Sequence, residues 1–303
     1  MQSSDTKKSL LTIIGRNALG VLASLILLTN TLLTAIQVLI LAIIKFIIPI
    51  KPVRRQISKL LNFLSENWFS VNNFAMRIIY NIKFDISGSM NLQKNNWYLL
   101  LSNHQSWIDC MVLLKVFNRK IPTPKFFSKQ QIFWIPLFGL AWWALDFPFM
   151  KRYSKAKIEK NPKLKGKDLE ATKKACKKFK FIPVSVVNFV EGTRFTLQKK
   201  EKSKSPYKNL LKPKAGGTAL VLNSMQGKMN TILDITIIYP QGVVTMWQFL
   251  CGCLKNVKVI INQIPVTDEL IGNYADDPNY RLFIQTWLNE IFVKKDALIT
   301  ENM

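Results

Sequence analysis

A single histidine, His104, serves the whole 303-residue chain, and its four cysteines include no Cys-x-x-Cys pair. Zinc sites draw on clustered thiolates and imidazoles, so this scarcity argues against a bound metal. Cys251 and Cys253 stand too close for an easy disulfide. Together with Cys110 and Cys176 they read as reduced thiols of a cytosol-facing protein. The chain has no G-x-S-x-G elbow, which removes the usual serine-hydrolase signature. No internal repeat is found. Acidic residues are also few: 18 Asp and Glu face 43 Lys and Arg, a formal charge of +25. Core packing does not produce such a balance. It calls for a polyanionic partner, which composition leaves open between nucleic acid, an anionic membrane surface and a phosphorylated ligand.

What the chain does have is apolar residues, 49% of the total, enough for a substantial core. From residue 17 to residue 44 there is no charge at all. As one helix this run would extend ~42 Å, more than the ~30 Å hydrocarbon core of a bilayer. It is too long for a signal-peptide core, and no small-residue cleavage site stands out before the basic stretch that follows. Lys7, Lys8 and Arg16 precede it; Lys45, Lys51, Arg54, Arg55 and Lys59 follow. The larger cluster favours a cytoplasmic body. Asn30 and Thr31 lie mid-run as a possible bend, so a single span and a re-entrant hairpin both stand. Residues 57–80 carry Leu60, Leu61, Leu64, Trp68, Phe69 and Phe74 at roughly helical spacing. That suits either an interfacial helix or an amphipathic helix packed on the body. Residues 1–80 are accordingly expected to form a membrane-anchoring helical region and 81–303 an α/β domain.

In that domain, runs rich in β-branched and large apolar residues predict strands at 97–102, 182–190, 231–239 and 257–264. Helices are predicted at 109–117, 168–180, 215–225 and 279–295, the last opened by Asp276-Asp277-Pro278. Alternation of this kind implies a mixed sheet flanked by helices. The basic stretch 151–214 reads as a solvated face with an exposed loop at 198–209, and also as an attractor for anionic headgroups or a phosphorylated donor.

Two polar constellations end predicted strands. In Ser102-Asn103-His104-Gln105-Ser106-Trp107-Ile108-Asp109, histidine suits general-base work. A carboxylate on its other ring nitrogen would fix the tautomer. Five residues apart, the pair would diverge on a regular helix; they converge if His104 lies in the turn and Asp109 in the first helical turn. In Glu191-Gly192-Thr193-Arg194, glycine permits a tight turn and Arg194 offers a planar fork suited to phosphate. Each feature has a plainer reading, a capping turn and a strand-to-loop turn. Together they are what a site at the edge of an α/β sheet should look like.

N-H-x-x-x-x-D at 103–109, followed about eighty residues later by E-G-T-R at 191–194, resembles the 1-acylglycerol-3-phosphate acyltransferase family. Two stretches between them also match, Lys129 to Gly139 with its Ile-Pro-x-x-Gly end, and Phe149-Met150-Lys151-Arg152. The resemblance covers residues 97–239. Gln131 departs from the family's usual Glu, and Leu233-Asp234-Ile235-Thr236 replaces its proline-containing block. That variant looks closer to the branch acting on lysophospholipids and lysocardiolipin.

The resemblance implies that His104 is the general base and Asp109 its orienting partner. It also implies that Arg152 and Arg194 bind the acceptor's phosphate, Glu191, Gly192 and Thr193 shape that pocket, and Lys129 assists. It implies direct transfer from acyl-CoA or acyl carrier protein to a lysophospholipid hydroxyl, with no resident cofactor or metal. Expected partners are the lysophospholipid, the acyl thioester and anionic membrane lipid, with no nucleic acid. The Lys-, Asn- and Ile-rich composition suggests an AT-rich genome and a bacterial inner membrane, with the catalytic domain facing the cytoplasm. The competing reading is a non-catalytic basic membrane protein that binds anionic lipid or nucleic acid. It explains the charge equally well, but gives no reason for the His–Asp spacing.

Overall fold

The charge-free run lies within one helix, α1 (Gln2–Ile47), joined through residues 48–50 to α2 (Lys51–Ile79). The structure, a computed structural model, describes residues 2–147, 149–150, 161, 176, 179 and 182–303. α1 continues through Asn30 and Thr31, so no bend occurs there. Those side chains instead bond to α2. Asn30 Nδ2 donates to Asn72 Oδ1 at 2.8 Å and to the Trp68 carbonyl at 3.1 Å, and Trp68 Nε1 donates to Thr31 Oγ1 at 3.1 Å. The hairpin is therefore α1 against α2, with polar bonds fixing its register midway.

α2 buries Ile57, Leu61, Ser65, Phe69 and the Asn72–Asn73 pair, one face at helical spacing. Yet it leaves Phe63, Phe74 and Ile78 more than half exposed. One face of it is packed, as an amphipathic helix against the body would be, and another presents apolar side chains outward. Among the described residues, α1 is the one helix long and apolar enough to cross a membrane.

The body begins with β1 (Lys83–Gly88), β2 (Tyr98–Ser102) and α3 (Ile108–Phe117). Next come β3 (Pro124–Phe126), β4 (Ser128–Lys129), α4 (Phe138–Ala144) and β5 (Phe149–Met150). β6 (Ser185–Phe189) leads to α5 (Leu197–Ser203) and α6 (Ala215–Ser224). The chain closes with β7 (Thr231–Ile238), α7 (Met246–Leu250), β8 (Asn256–Pro265) and α8 (Pro278–Glu301). Six strands form one sheet in the order β1-β8-β7-β2-β6-β3, while β4 and β5 pair separately. Neighbours run parallel except β7 and β8, so the sheet is mixed as expected.

Strand alternation divides the core. Tyr98 and Leu100 of β2 pack with α2, α3 and α4 on one face; Leu99 and Leu101 pack with α6 and α8 on the other. α1 reaches the body through Gly20, where a Cβ would lie 2.7 Å from Cys251 Sγ just after α7, so the close approach excludes a side chain. Buried Lys295 of α8 spans to β7. Its Nζ lies 2.7 Å from Asp234 Oδ1 and donates to the Ile235 carbonyl, which occupies the Leu233–Thr236 block with an ion pair.

Three differences from the sequence reading have physical causes. The expected loop at 198–209 holds α5, because Thr196 caps it by accepting from the Lys199 N–H at 3.3 Å and the following lysines and glutamate are good helix formers. β1 was not expected; its KFDISG sequence is charged, half-exposed and ends in glycine, as an edge strand can. β3 is three residues led by proline at the opposite edge. The helix expected at 168–180 lies outside the described residues except Cys176 and Phe179, both helical and buried.

Candidate active site

β2 and β6 are adjacent, parallel and in register, with Ser102 opposite Phe189. Two residues further on, His104 and Glu191 leave the same sheet edge side by side. The chain after β2 moves toward β3, whereas the chain after β6 crosses to β7 on the other side. Such a reversal opens a crevice at the carboxyl ends of the strands, the usual ligand position in α/β sheets.

Asn103 prolongs the sheet with its side chain. Its Nδ2 donates to the Ile237 carbonyl and its Oδ1 accepts from the Ile237 N–H, both at 2.8 Å. This holds His104 at the start of the turn. α3 begins at Ile108, which puts Asp109 in its first turn and brings the pair together. His104 Nδ1 lies 2.8 Å from Asp109 Oδ2. The same oxygen accepts from the backbone N–H groups of Gln105 at 2.6 Å and Ser106 at 2.8 Å, and Asp109 Oδ1 accepts from the Tyr239 hydroxyl at 2.7 Å. Asp109 is fully buried, so these donors take the place of water. Burial, then the neighbouring Asp109 carboxylate, holds the Tyr239 phenol well above its ordinary pKa, so it stays a donor. The His104 ring stacks on Phe189 with centroids 4.0 Å apart and planes 16° from parallel. Its Nε2 makes no hydrogen bond to a described residue.

The second turn is tied to the first. Glu191 accepts from the His104 N–H and the Leu211 N–H at 2.8 Å each, and Phe195 N–H donates to the His104 carbonyl at 2.7 Å. Burial pushes the Glu191 carboxyl up to about 7, against the two backbone donors that favour its ionised form. Its carboxylate thus faces backbone and shapes the turn from within. Gly192 has a φ of +71°, and a Cβ there would come within 3.2 Å of the Lys214 side chain. Lys199 Nζ donates to Thr193 Oγ1 at 2.9 Å and to the Arg194 carbonyl at 2.8 Å. Arg194 is exposed, its guanidinium 5.0 Å from the Trp107 ring centroid in the facing turn.

The structure thereby brings His104, Asp109, Glu191, Gly192, Thr193 and Arg194 to one edge. Lys129 is described in backbone only, at the end of β4, and Arg152 lies outside the described residues. The sequence reading gave Tyr239 no role at the site, and it placed Phe189 only at a strand end and Lys199 and Lys214 only within the basic stretch 151–214. Tyr239 and Phe189 do stand at the ends of expected strands, but only strand register shows what they face. Burial and the adjacent Asp109 push the Cys110 thiol up to about 12, so it is no thiolate nucleophile.

A model of the acyltransferase family matches residues 83–241, just over half of the chain. Among similar proteins is mouse (Mus musculus) 1-acyl-sn-glycerol-3-phosphate acyltransferase epsilon, 22% identical over 71% of this chain and 60% of its own length. Another is 1-acyl-sn-glycerol-3-phosphate acyltransferase 3 of Arabidopsis thaliana, 24% identical over 66% of this chain and 52% of its own. The chain thus spans only a little over half the length of these relatives. The crystal structure of the 1-acyl-sn-glycerophosphate (LPA) acyltransferase PlsC from Thermotoga maritima matches 91% of this chain and 97% of its own, with a TM-score of 0.48 and 16% identity.

Proposed function

Because this chain belongs to the acyltransferase family, we propose that it moves a fatty acyl group from acyl-CoA or acyl carrier protein onto the hydroxyl of a lysophospholipid such as 1-acylglycerol-3-phosphate. The observation that carries this reading is the in-register pairing of β2 and β6. It sets an oriented His104–Asp109 pair beside a glycine turn bearing Arg194.

In this mechanism Asp109 accepts a hydrogen bond from the Nδ1–H of His104, which leaves Nε2 unprotonated toward the crevice. Nε2 takes the acceptor's hydroxyl proton as that oxygen attacks the thioester carbonyl. The tetrahedral intermediate collapses, the C–S bond breaks, and the departing thiolate takes the proton from the imidazolium. Phe189 keeps the ring in plane throughout. No acyl-enzyme forms. Arg194, with Lys199 and Lys214 around the same turn, attracts the acceptor phosphate. Arg152 and Lys129 keep the phosphate-binding and assisting roles that the family resemblance gives them.

The apolar surface of α1 and the outward residues of α2 support membrane residence of the 1–80 region, with domain 81–303 working at the bilayer surface. The location we infer is a bacterial inner membrane, with the catalytic domain on its cytoplasmic side. The test is thiol release from acyl-CoA by the full chain in vesicles containing lysophosphatidate, together with mass-spectrometric detection of the diacyl product. Both signals are expected to depend on acceptor. Absence of both over a panel of thioesters and lysophospholipids would overturn the proposal.

A further inference from the structure

α2 and α3 offer facing surfaces that do not close on each other. Asn73, Met76 and Arg77 recur at helical spacing on one, with Tyr80 just past its end, and Ile108, Met111, Val112 and Lys115 on the other. Between them lies a cavity of about 310 Å³, floored by Ile82 and Phe84 and bounded by Phe249 and Leu254. That volume falls at the lower end of the ~300–1,000 Å³ range of small-molecule sites. Neither His104 nor Asp109, and no residue of the Glu191–Arg194 turn, lines it.

Three observations describe what it would hold. The wall is mostly apolar and contains no carboxylate, yet both its ionisable cations, Arg77 and Lys115, lie on it without an ion pair to a described residue. Burial, then the charges of Arg77 and Lys120, push the Lys115 ammonium below its ordinary value, a cost that an anion would relieve. Asn73, only 8% exposed, also lines the cavity. Beside the cavity, Phe74 and Ile78 of α2 stand 66% and 70% exposed and apolar. This surroundings favours a ligand delivered from a bilayer over a soluble anion.

We propose that this cavity is an accessory lipid site. It takes the phosphate headgroup of an anionic phospholipid on Arg77 and Lys115, and the first part of its chain on the apolar wall. Occupancy would clamp α2 to α3, and so the anchoring hairpin to the helix that carries Asp109.

Native mass spectrometry of the full chain, with phosphatidylglycerol or phosphatidylcholine supplied in detergent micelles, tests it without any acyl transfer. Failure here therefore leaves the proposed reaction standing. The wild type is expected to retain one phosphatidylglycerol in preference to phosphatidylcholine. The double variant Arg77→Gln/Lys115→Gln is expected to bind it roughly thirtyfold more weakly. Met111→Trp, which fills the cavity without changing charge, is expected to lose the lipid as well, and thermal melting of each variant reports that it is folded. Arg194→Ala is expected to retain it. Equal retention of both lipids, unchanged binding in the folded cavity variants, or loss in Arg194→Ala would overturn the site. Displacement by millimolar inorganic phosphate alone would overturn its assignment to a lipid.

Discussion

Asp109 and Arg194 sit in neighbouring turns at the same sheet edge, yet they are held very differently. Asp109 is buried and engaged by four donors from two parts of the chain, and its histidine is stacked on a phenylalanine. Arg194 is exposed and steadied by the face of Trp107, while the backbone beneath it is fixed by Glu191 and Lys199. The first arrangement fits a group that must meet a reacting atom at hydrogen-bond distance. The second fits a group that must find a headgroup and let it go. Rigidity is spent on the proton-transfer pair, and latitude is left to recognition.

The contrast can be broken from the rigid side first. His104→Ala is expected to lower turnover by ~10²–10⁴ while leaving membrane association intact, read as thiol release and as sedimentation with vesicles. Asp109→Asn keeps the shape, since the Tyr239 hydroxyl can turn to accept from the new amide, but removes the counter-charge to the imidazolium. Its rate should fall roughly 10²-fold or more with little loss of melting temperature. Asp109→Ala should lose the rate and also destabilise the fold by about 1–3 kcal/mol, because the Gln105 and Ser106 N–H groups are left without a partner. Equal melting temperatures for the two variants would show that the four donors are not structural.

On the adaptable side the expected effects are smaller. Arg194→Ala should raise KM for a phosphate-bearing acceptor about tenfold with kcat little changed, and should alter KM less for an acceptor lacking the phosphate. Glu191 gives the smallest effect, on stability rather than rate. Its folded carboxyl holds a proton up to about 7, whereas an unfolded one releases it near the ordinary 4.5. Between those values the folded state binds more protons, so stability falls as pH rises through that window. Glu191→Gln should flatten that slope in thermal melts, and an unchanged slope would remove Glu191 as its source.

Much of this was legible in the sequence, for particular reasons. The buried strands announced themselves through runs such as TILDITII, and α8 through Asp277, whose carboxylate accepts from the Asn279 and Tyr280 N–H groups. His104 and Asp109 were legible because the sole histidine follows a strand and precedes a helix by a countable distance. The support around them was not. Asn103 reaches Ile237 and Tyr239 reaches Asp109 across more than 100 residues, which only strand order and register reveal. Asn30 and Thr31 looked like a bend because polar residues inside an apolar helix have two outlets, a break or a partner helix. Here the partner was α2. The short, charged segments β1 and α5 were missed because their pairing and capping outweigh their composition.

The division of labour between the two turns is tested most directly by one steady-state comparison. The wild type, His104→Ala and Arg194→Ala would be assayed with the same acyl-CoA and lysophosphatidate in vesicles of one composition. The histidine variant is expected to lose kcat with KM nearly unchanged, and the arginine variant to show a raised KM with kcat nearly unchanged. A histidine variant that keeps kcat, or an arginine variant whose loss lies wholly in kcat, would contradict it.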